Sequence, residues 1–286
     1  MEKWGRIKFA PCLPMGEDGR RITACEKHIE LSRSAATEGM VLLKNDRNLL
    51  PLCQGAKIAV FGKGQYDYVQ GGGGSGEVIT EYTRNIYDGL KVKAEEGKIC
   101  LYDGLIDFYK SEIDKQYAEG KQIGMTEEPE IPEDLISGAK AYTDTAIITI
   151  CRFSLEGFDR KGELNDGDFY LSSQEEKMVR AVVDNFKNII VVINAGAQTD
   201  SEWYYNNDRI GAVLYAWQAG MEGGLATADV LCGDVNPSGK LVDSFAKRFS
   251  DYPSAETFNE SDDYVKYYED IYVGRSNNEI LYCRRR

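Results

Sequence analysis

Histidine is almost missing from this 286-residue chain, which has one, His28. A Ser-His-Asp or Cys-His apparatus would have to run through that single imidazole, and no G-x-S-x-G elbow accompanies it. His28 stands beside Ile29 in a stretch of helical periodicity and reads as a helix-surface residue. Metal ligands are equally short. There is no HExxH and no CxxC, and the seven cysteines (Cys12, Cys25, Cys53, Cys100, Cys151, Cys232, Cys283) are odd in number and widely scattered. They indicate neither a zinc site nor a disulfide framework, and buried, reduced thiols in a cytoplasmic protein are the expectation. The acids of "NESDD" (259–263) lack a calcium-loop pattern. No metal and no cofactor is expected.

Positive charge is scarce as well, with 34 Lys and Arg against 47 Asp and Glu and a formal net charge of −13. Nucleic acid and anionic membranes both require a basic footprint, so neither is expected as a partner. No apolar run approaches membrane-spanning length, and "MEKWGRIKFAPCLPMG" lacks the apolar middle of a signal peptide.

What the chain does have is alternation. Residues 1–25 carry no periodicity and read as an extended arm. "HIELSRSAATEGMVLLKND" spaces Ile29, Leu31, Ala35, Ala36, Met40 and Leu43 as a helix that the proline of "NLLPL" stops. Strands are then expected at 57–62, 98–104, 145–151, 188–196 and 211–217, with helices near 104–119, 133–142, 172–187, 199–207 and 221–232. Most of these strands, such as "TAIITIC" and "NIIVVINAG", are continuous apolar runs, which implies burial on both faces. The fold class is therefore α/β, a three-layer sandwich with a mostly parallel sheet of five to six strands. An antiparallel sixth strand is expected from "KYYEDIYVG".

Ligands of such sheets gather at the carboxyl ends of the strands. The loop after the first strand contains "QGGGGSGEV", in which Gly71, Gly73 and Gly76 fit G-x-G-x-x-G. These glycines come well after the strand end, no helix opens behind them, and there is no G-K-[ST]; the context argues against a nucleotide site. A flexible solvent loop, or a loop stripped of side chains so that its backbone and Ser75 can lie against a polar ligand, remains. The loop after the third strand is "SLEGFDR" (154–160), followed by further acids at Glu163 and Asp166. Taken alone, Glu156 there is either a functional carboxyl or a solvated one beside an Asp159–Arg160 pair.

The ordered set "AATEGMVLLKNDRNLLPL", "KIAVFG", "GGGGSGEV", "EGFDR", "DFYLSSQEEKMVRAV", "VVINAGAQTDSEW", "VLYAWQAGMEGGLATADVLCGDVNPSGKL" and "YYEDIYVG" resembles the C-terminal α/β-sandwich domain of glycoside hydrolase family 3. The resemblance spans residues 26–274 and leaves 275–286 as a tail that looks truncated. It implies a part in a retaining β-glucosidase-like hydrolase acting on a β-linked glucoside or short oligosaccharide. In that family this domain lends the acid/base from a loop, while the nucleophile stands on a (β/α)8 barrel. The E-G-x-D-R motif puts the acid/base on Glu156, with Ser75, Gly74, Asp159 and Arg160 bordering the sugar. The barrel and its nucleophile are not found in this sequence, which leaves the chain expected to be inactive alone and to need a barrel in cis or in trans. A sandwich placed so near residue 1 fits members with permuted domain order. A non-catalytic carbohydrate-binding or interaction module of the same fold, and an unrelated nucleotide-binding α/β protein, stay open. If the first reading holds, the glycine loop and "SLEGFDR" should leave the same sheet edge, near an apolar face able to dock a barrel or a second copy of the chain.

Overall fold

The computed structural model describes residues 24–158, 160–258 and 260–268, together with Gly19. Its elements in chain order are α1 (Glu26–Gly39), β1 (Val41–Asn45), β2 (Ala56–Phe61), α2 (Ile86–Glu95), β3 (Ile99–Leu101), α3 (Asp103–Ala118), α4 (Glu133–Tyr142), β4 (Thr145–Arg152), α5 (Ser173–Asn185), β5 (Asn188–Ala195), α6 (Glu202–Tyr205), β6 (Ile210–Tyr215) and α7 (Gly223–Cys232). The strands form one sheet in the order β1-β6-β5-β4-β2-β3, parallel except for β1. From β2 the chain winds outward to β3, then crosses back to β4, β5 and β6. The winding therefore reverses between β2 and β4.

The continuous apolar strands are explained by two cores. One face of the sheet sets Phe61, Ile148, Val191 and Val213 against Leu105 and Tyr109 of α3, Ala139 of α4, Val182 of α5 and Phe186 just after α5. The other sets Val60, Ile147, Val192 and Leu214 against Leu90 of α2 and Ala226 and Val230 of α7. Helices α2 and α7 touch through glycine: a Cβ on Gly89 would lie 2.2 Å from the Gly224 carbonyl oxygen. Helix α1 buries little besides Thr37, and a charge holds it instead. Arg33 grips Asp229 of α7 with two bonds of 2.6 Å, while Lys93 of α2 reaches the same carboxylate at 2.8 Å.

Several expectations are corrected. The first helix does not run to Leu43: it ends at Gly39, Met40 is extended, and Val41–Asn45 pairs antiparallel with β6. The run Met40–Leu43 is apolar at every position, a pattern that suits a strand as well as a buried helix turn, and a free sheet edge decided it. The antiparallel sixth strand is thus β1; no strand is assigned at residues 266–268, and 269–274 lie outside the described residues. Helix α2 was not anticipated, although "NIYD" carries its signature, since Asn85 and Asp88 cap each other's backbone N–H. The thiols are not all buried. Cys53 and Cys100 are exposed, Cys25 and Cys232 half-buried and Cys151 buried, and none of these is in a disulfide. Cys100 faces outward because β3 is an edge strand with an uncovered side. His28 is on the helix surface as expected.

Replacing Gly89 by Ala should lower stability by about 1–3 kcal/mol, the usual cost of forcing a carbon into a closed contact. Urea unfolding measures it, and an unchanged midpoint would show that α2 and α7 can part at no cost.

Candidate active site

Strands β2, β4, β5 and β6 run parallel, so the loops that leave their carboxyl ends share one edge of the sheet. Two of them meet there. The Gly73 N–H donates to the Ser154 carbonyl at 2.8 Å, and Gly73 and Leu155 form an isolated parallel bridge. Glycine is required at this contact because a Cβ on Gly73 would come within 2.5 Å of the Phe153 ring. The glycine loop is therefore laid along the first residues of the "SLEGFDR" loop, and the shared edge expected from the sequence is observed.

At the end of this contact the Ser75 hydroxyl donates to Glu156 Oε2 at 2.7 Å, with both side chains exposed to solvent. Gly74 stands beside them with φ +65°, a backbone turn that favours glycine. Asp159 lies outside the described residues. Arg160 is turned away from the pair: its Nη1 donates to Asp168 and, at 3.3 Å, to the Phe153 carbonyl. Asp168 also accepts the Lys161 N–H at 2.8 Å, so this carboxylate closes the loop that Glu156 tops. Nothing in the spacing of "LNDGDFY" singles out Asp168 over its acidic neighbours.

A second anchor is buried beneath. Arg152, the last residue of β4, donates to both oxygens of Glu175 at 2.7 and 2.8 Å, and to the Asp168 and Tyr170 carbonyls. Burial would push the Glu175 carboxyl up, but the Arg152 guanidinium beside it holds it below the usual carboxylate range. Glu175 also accepts the Ser172 N–H as half of the α5 capping box. One pair thus joins the end of β4, the return of the loop and the start of α5. Asn194, a polar residue inside the apolar run of β5, ties the other loops together by accepting the Val69 N–H and donating to the Val69 and Trp217 carbonyls. Gln218 then reaches the Ser154 hydroxyl at 3.1 Å.

The acidic loop 124–134 is strapped inward in part. Asp67 accepts from the Tyr117 hydroxyl at 2.7 Å and from the Gly124 and Thr126 N–H groups. Glu128 is buried and accepts from the Lys63 N–H at 2.8 Å and the Tyr109 hydroxyl at 2.7 Å. Burial pushes the Glu128 carboxyl up to about 7, in spite of those bonds. Asp200 of "TDSEW" accepts the N–H of Glu202, the first residue of α6, and so lies just ahead of that helix. Among the described residues no cluster of His, Cys, Asp and Glu is placed to hold a metal ion, and no helix is long and apolar enough to cross a membrane.

Two outcomes follow from these anchors. Arg152→Met should cost about 3–5 kcal/mol, because it strands the buried Glu175 charge; calorimetry reads this, and a loss under about 1 kcal/mol would mean the pair is dispensable. Glu128 keeps its proton in the folded chain between its ordinary value of 4.5 and about 7, whereas the unfolded chain releases it there. Its contribution to stability is therefore greatest below that window and falls as pH rises through it. Glu128→Gln should remove this decline in unfolding experiments from about pH 5 to 8, and curves parallel to the unmodified chain would contradict it.

The arrangement matches known proteins along most of the chain. Residues 40–275 match the glycosyl hydrolase family 3 C-terminal domain. Beta-glucosidase A of Butyrivibrio fibrisolvens is 53% identical over 294 aligned positions, covering 96% of this chain and 35% of that protein. A beta-glucosidase of Ruminococcus albus is 35% identical, covering 87% of this chain and 26% of its own length. Among solved structures, beta-glucosidase 3B of Thermotoga neapolitana in complex with glucose superposes with a TM-score of 0.80 at 36% identity, over 90% of this chain and 36% of that one. A beta-glucosidase of Paenibacillus barengoltzii gives a TM-score of 0.79 at 36% identity, over 87% of this chain and 27% of that one. The chain thus spans 35% and 26% of the length of these two curated relatives. Since the match takes in both strand-end loops and the sheet that carries them, the chain belongs to the glycosyl hydrolase family 3 C-terminal domain family.

Proposed function

We propose that this chain supplies the general acid/base of a retaining β-glucosidase and completes a sugar pocket whose nucleophile is carried by a (β/α)8 barrel, in the same polypeptide or a separate one. The observation that carries the reading is the Ser75–Glu156 hydrogen bond of 2.7 Å, exposed at the carboxyl edge of a parallel sheet. Retention needs two carboxyl groups about 5–5.5 Å apart, one to attack and one to deliver and then remove a proton. Glu156 suits the second role, because it stands at the tip of a loop, held from below by Asp168 and from the side by Ser75. The serine hydroxyl orients the carboxylate and leaves its other oxygen open to a glycosidic oxygen. Ser75 and Gly74 would then border the bound sugar, while Arg160 would act by fixing the loop. Exposed apolar side chains stand near this edge, among them Val78, Ile79 at 96% exposure and Phe158, and they suit a face that a barrel covers.

In the barrel-containing enzyme, Glu156→Ala should slow hydrolysis of substrates with poor leaving groups by about 10²–10⁴-fold, the usual worth of general acid–base catalysis. Aryl glucosides with good leaving groups should lose far less in the glycosylation step, and azide should speed turnover by replacing the water that Glu156 activates. Unchanged kinetics would move the acid/base to another residue, with Asp159 and Glu163 next to test.

A further inference from the structure

In open α/β sheets ligands settle outside the carboxyl ends of the strands, where the winding reverses. Here that place lies between β2 and β4, and a cavity of about 460 Å³ opens there, with Lys63 beyond β2 and Arg152 at the end of β4 in its wall. The volume lies in the range of about 300–1,000 Å³ usual for small-molecule sites. Phe158, Arg160 and Lys161 of the "SLEGFDR" loop and its continuation line it, whereas Ser75 and Glu156 do not. The cavity is therefore separate from the proposed catalytic pair.

Most charges in its wall are already satisfied: Arg152 by Glu175, Asp168 by Arg160, and Glu128 by Tyr109 and Lys63. What remains is specific. Lys161, Asp166 and Gln174 also line the cavity, and the polar groups of their side chains have no side-chain partner among the described residues. Free donors and free acceptors are both present, and the charge of Lys161 is offset by that of Asp166. An anion would meet Asp166 and Glu127; a cation would meet Lys161 and Lys121. A neutral molecule with many hydroxyls meets neither penalty. Phe158, with 43% of its surface exposed, adds a ring face for the C–H side of a sugar ring.

We propose that this cavity is a second carbohydrate site, taking a neutral mono- or disaccharide. The site stands whatever role Glu156 has. An occupant would contact the residues on either side of Asp159 and so bear directly on the loop that positions Glu156.

The test is a titration of the ¹⁵N-labelled chain with glucose, cellobiose and inorganic phosphate. Glucose or cellobiose should shift the backbone resonances of Phe158, Lys161 and Gln174. Gln174→Trp, which fills the cavity from an exposed position, should weaken that binding by about tenfold or more. Lys161→Ala should weaken it too and serves in place of Gln174→Trp should that chain not fold, while Ser75→Ala should leave it intact. The proposal is overturned if neither sugar shifts these resonances, or if phosphate shifts them and the sugars do not. Binding that survives both Gln174→Trp and Lys161→Ala but is lost in Ser75→Ala would also overturn it, since the sugar would then sit at the Ser75–Glu156 pair.

Discussion

The ion pair of Arg152 and Glu175 is the constraint on which the working edge of this domain depends. It lies at the last residue of β4, inside the protein, and its bonds reach three separate stretches of chain. An arginine at that depth is tolerable only because its donors are met, by two carboxylate oxygens and by the carbonyls of Cys151, Asp168 and Tyr170. The same carboxylate closes the cap of α5, so the helix cannot shift without disturbing the strand end. The loop bearing Glu156 is in effect a span between two fixed points, β4 and residue 168.

The second control on that loop is steric. Phe153 is wedged between the glycine loop on one side and Gly124 on the other, where a Cβ would lie 3.0 Å from the Phe153 Cβ. Glycine at 73 and 124 lets backbone approach this residue from both directions. The strap that carries Gly124 is in turn held by Asp67 and Glu128, groups that lie far from Glu156 in the chain. Rigid elements beneath and glycine contacts beside the loop thus hold an exposed carboxyl in place.

Much of this is legible in the sequence, for identifiable reasons. Strands buried on both faces read as unbroken apolar runs, so β2, β4, β5 and β6 are visible with little ambiguity. The resemblance that "EGFDR" and the glycine run carry implies roles for Glu156 and Ser75, and both stretches are short and local. By contrast, β1 reads as helix because four successive apolar residues do not declare a period, and only the open edge of β6 resolves them. Asp168 escapes a sequence reading because nothing sets it apart from its acidic neighbours, and Glu175 and Asn194 because their partners Arg152 and Val69 lie farther off in the chain. Asn194 bonds a residue 125 positions earlier, and no local pattern encodes that.

The sequence by itself determined the layered α/β architecture and the strand-end loops in which Ser75 and Glu156 lie, since hydrophobic periodicity and turn-forming stretches act over a few residues. Only the tertiary structure decided which way Arg160 turns, that Ser75 meets Glu156, and that a cavity opens where the sheet reverses its winding. Those outcomes depend on the crossing order of the strands and on which buried charges find partners, and both are set when the whole chain packs together.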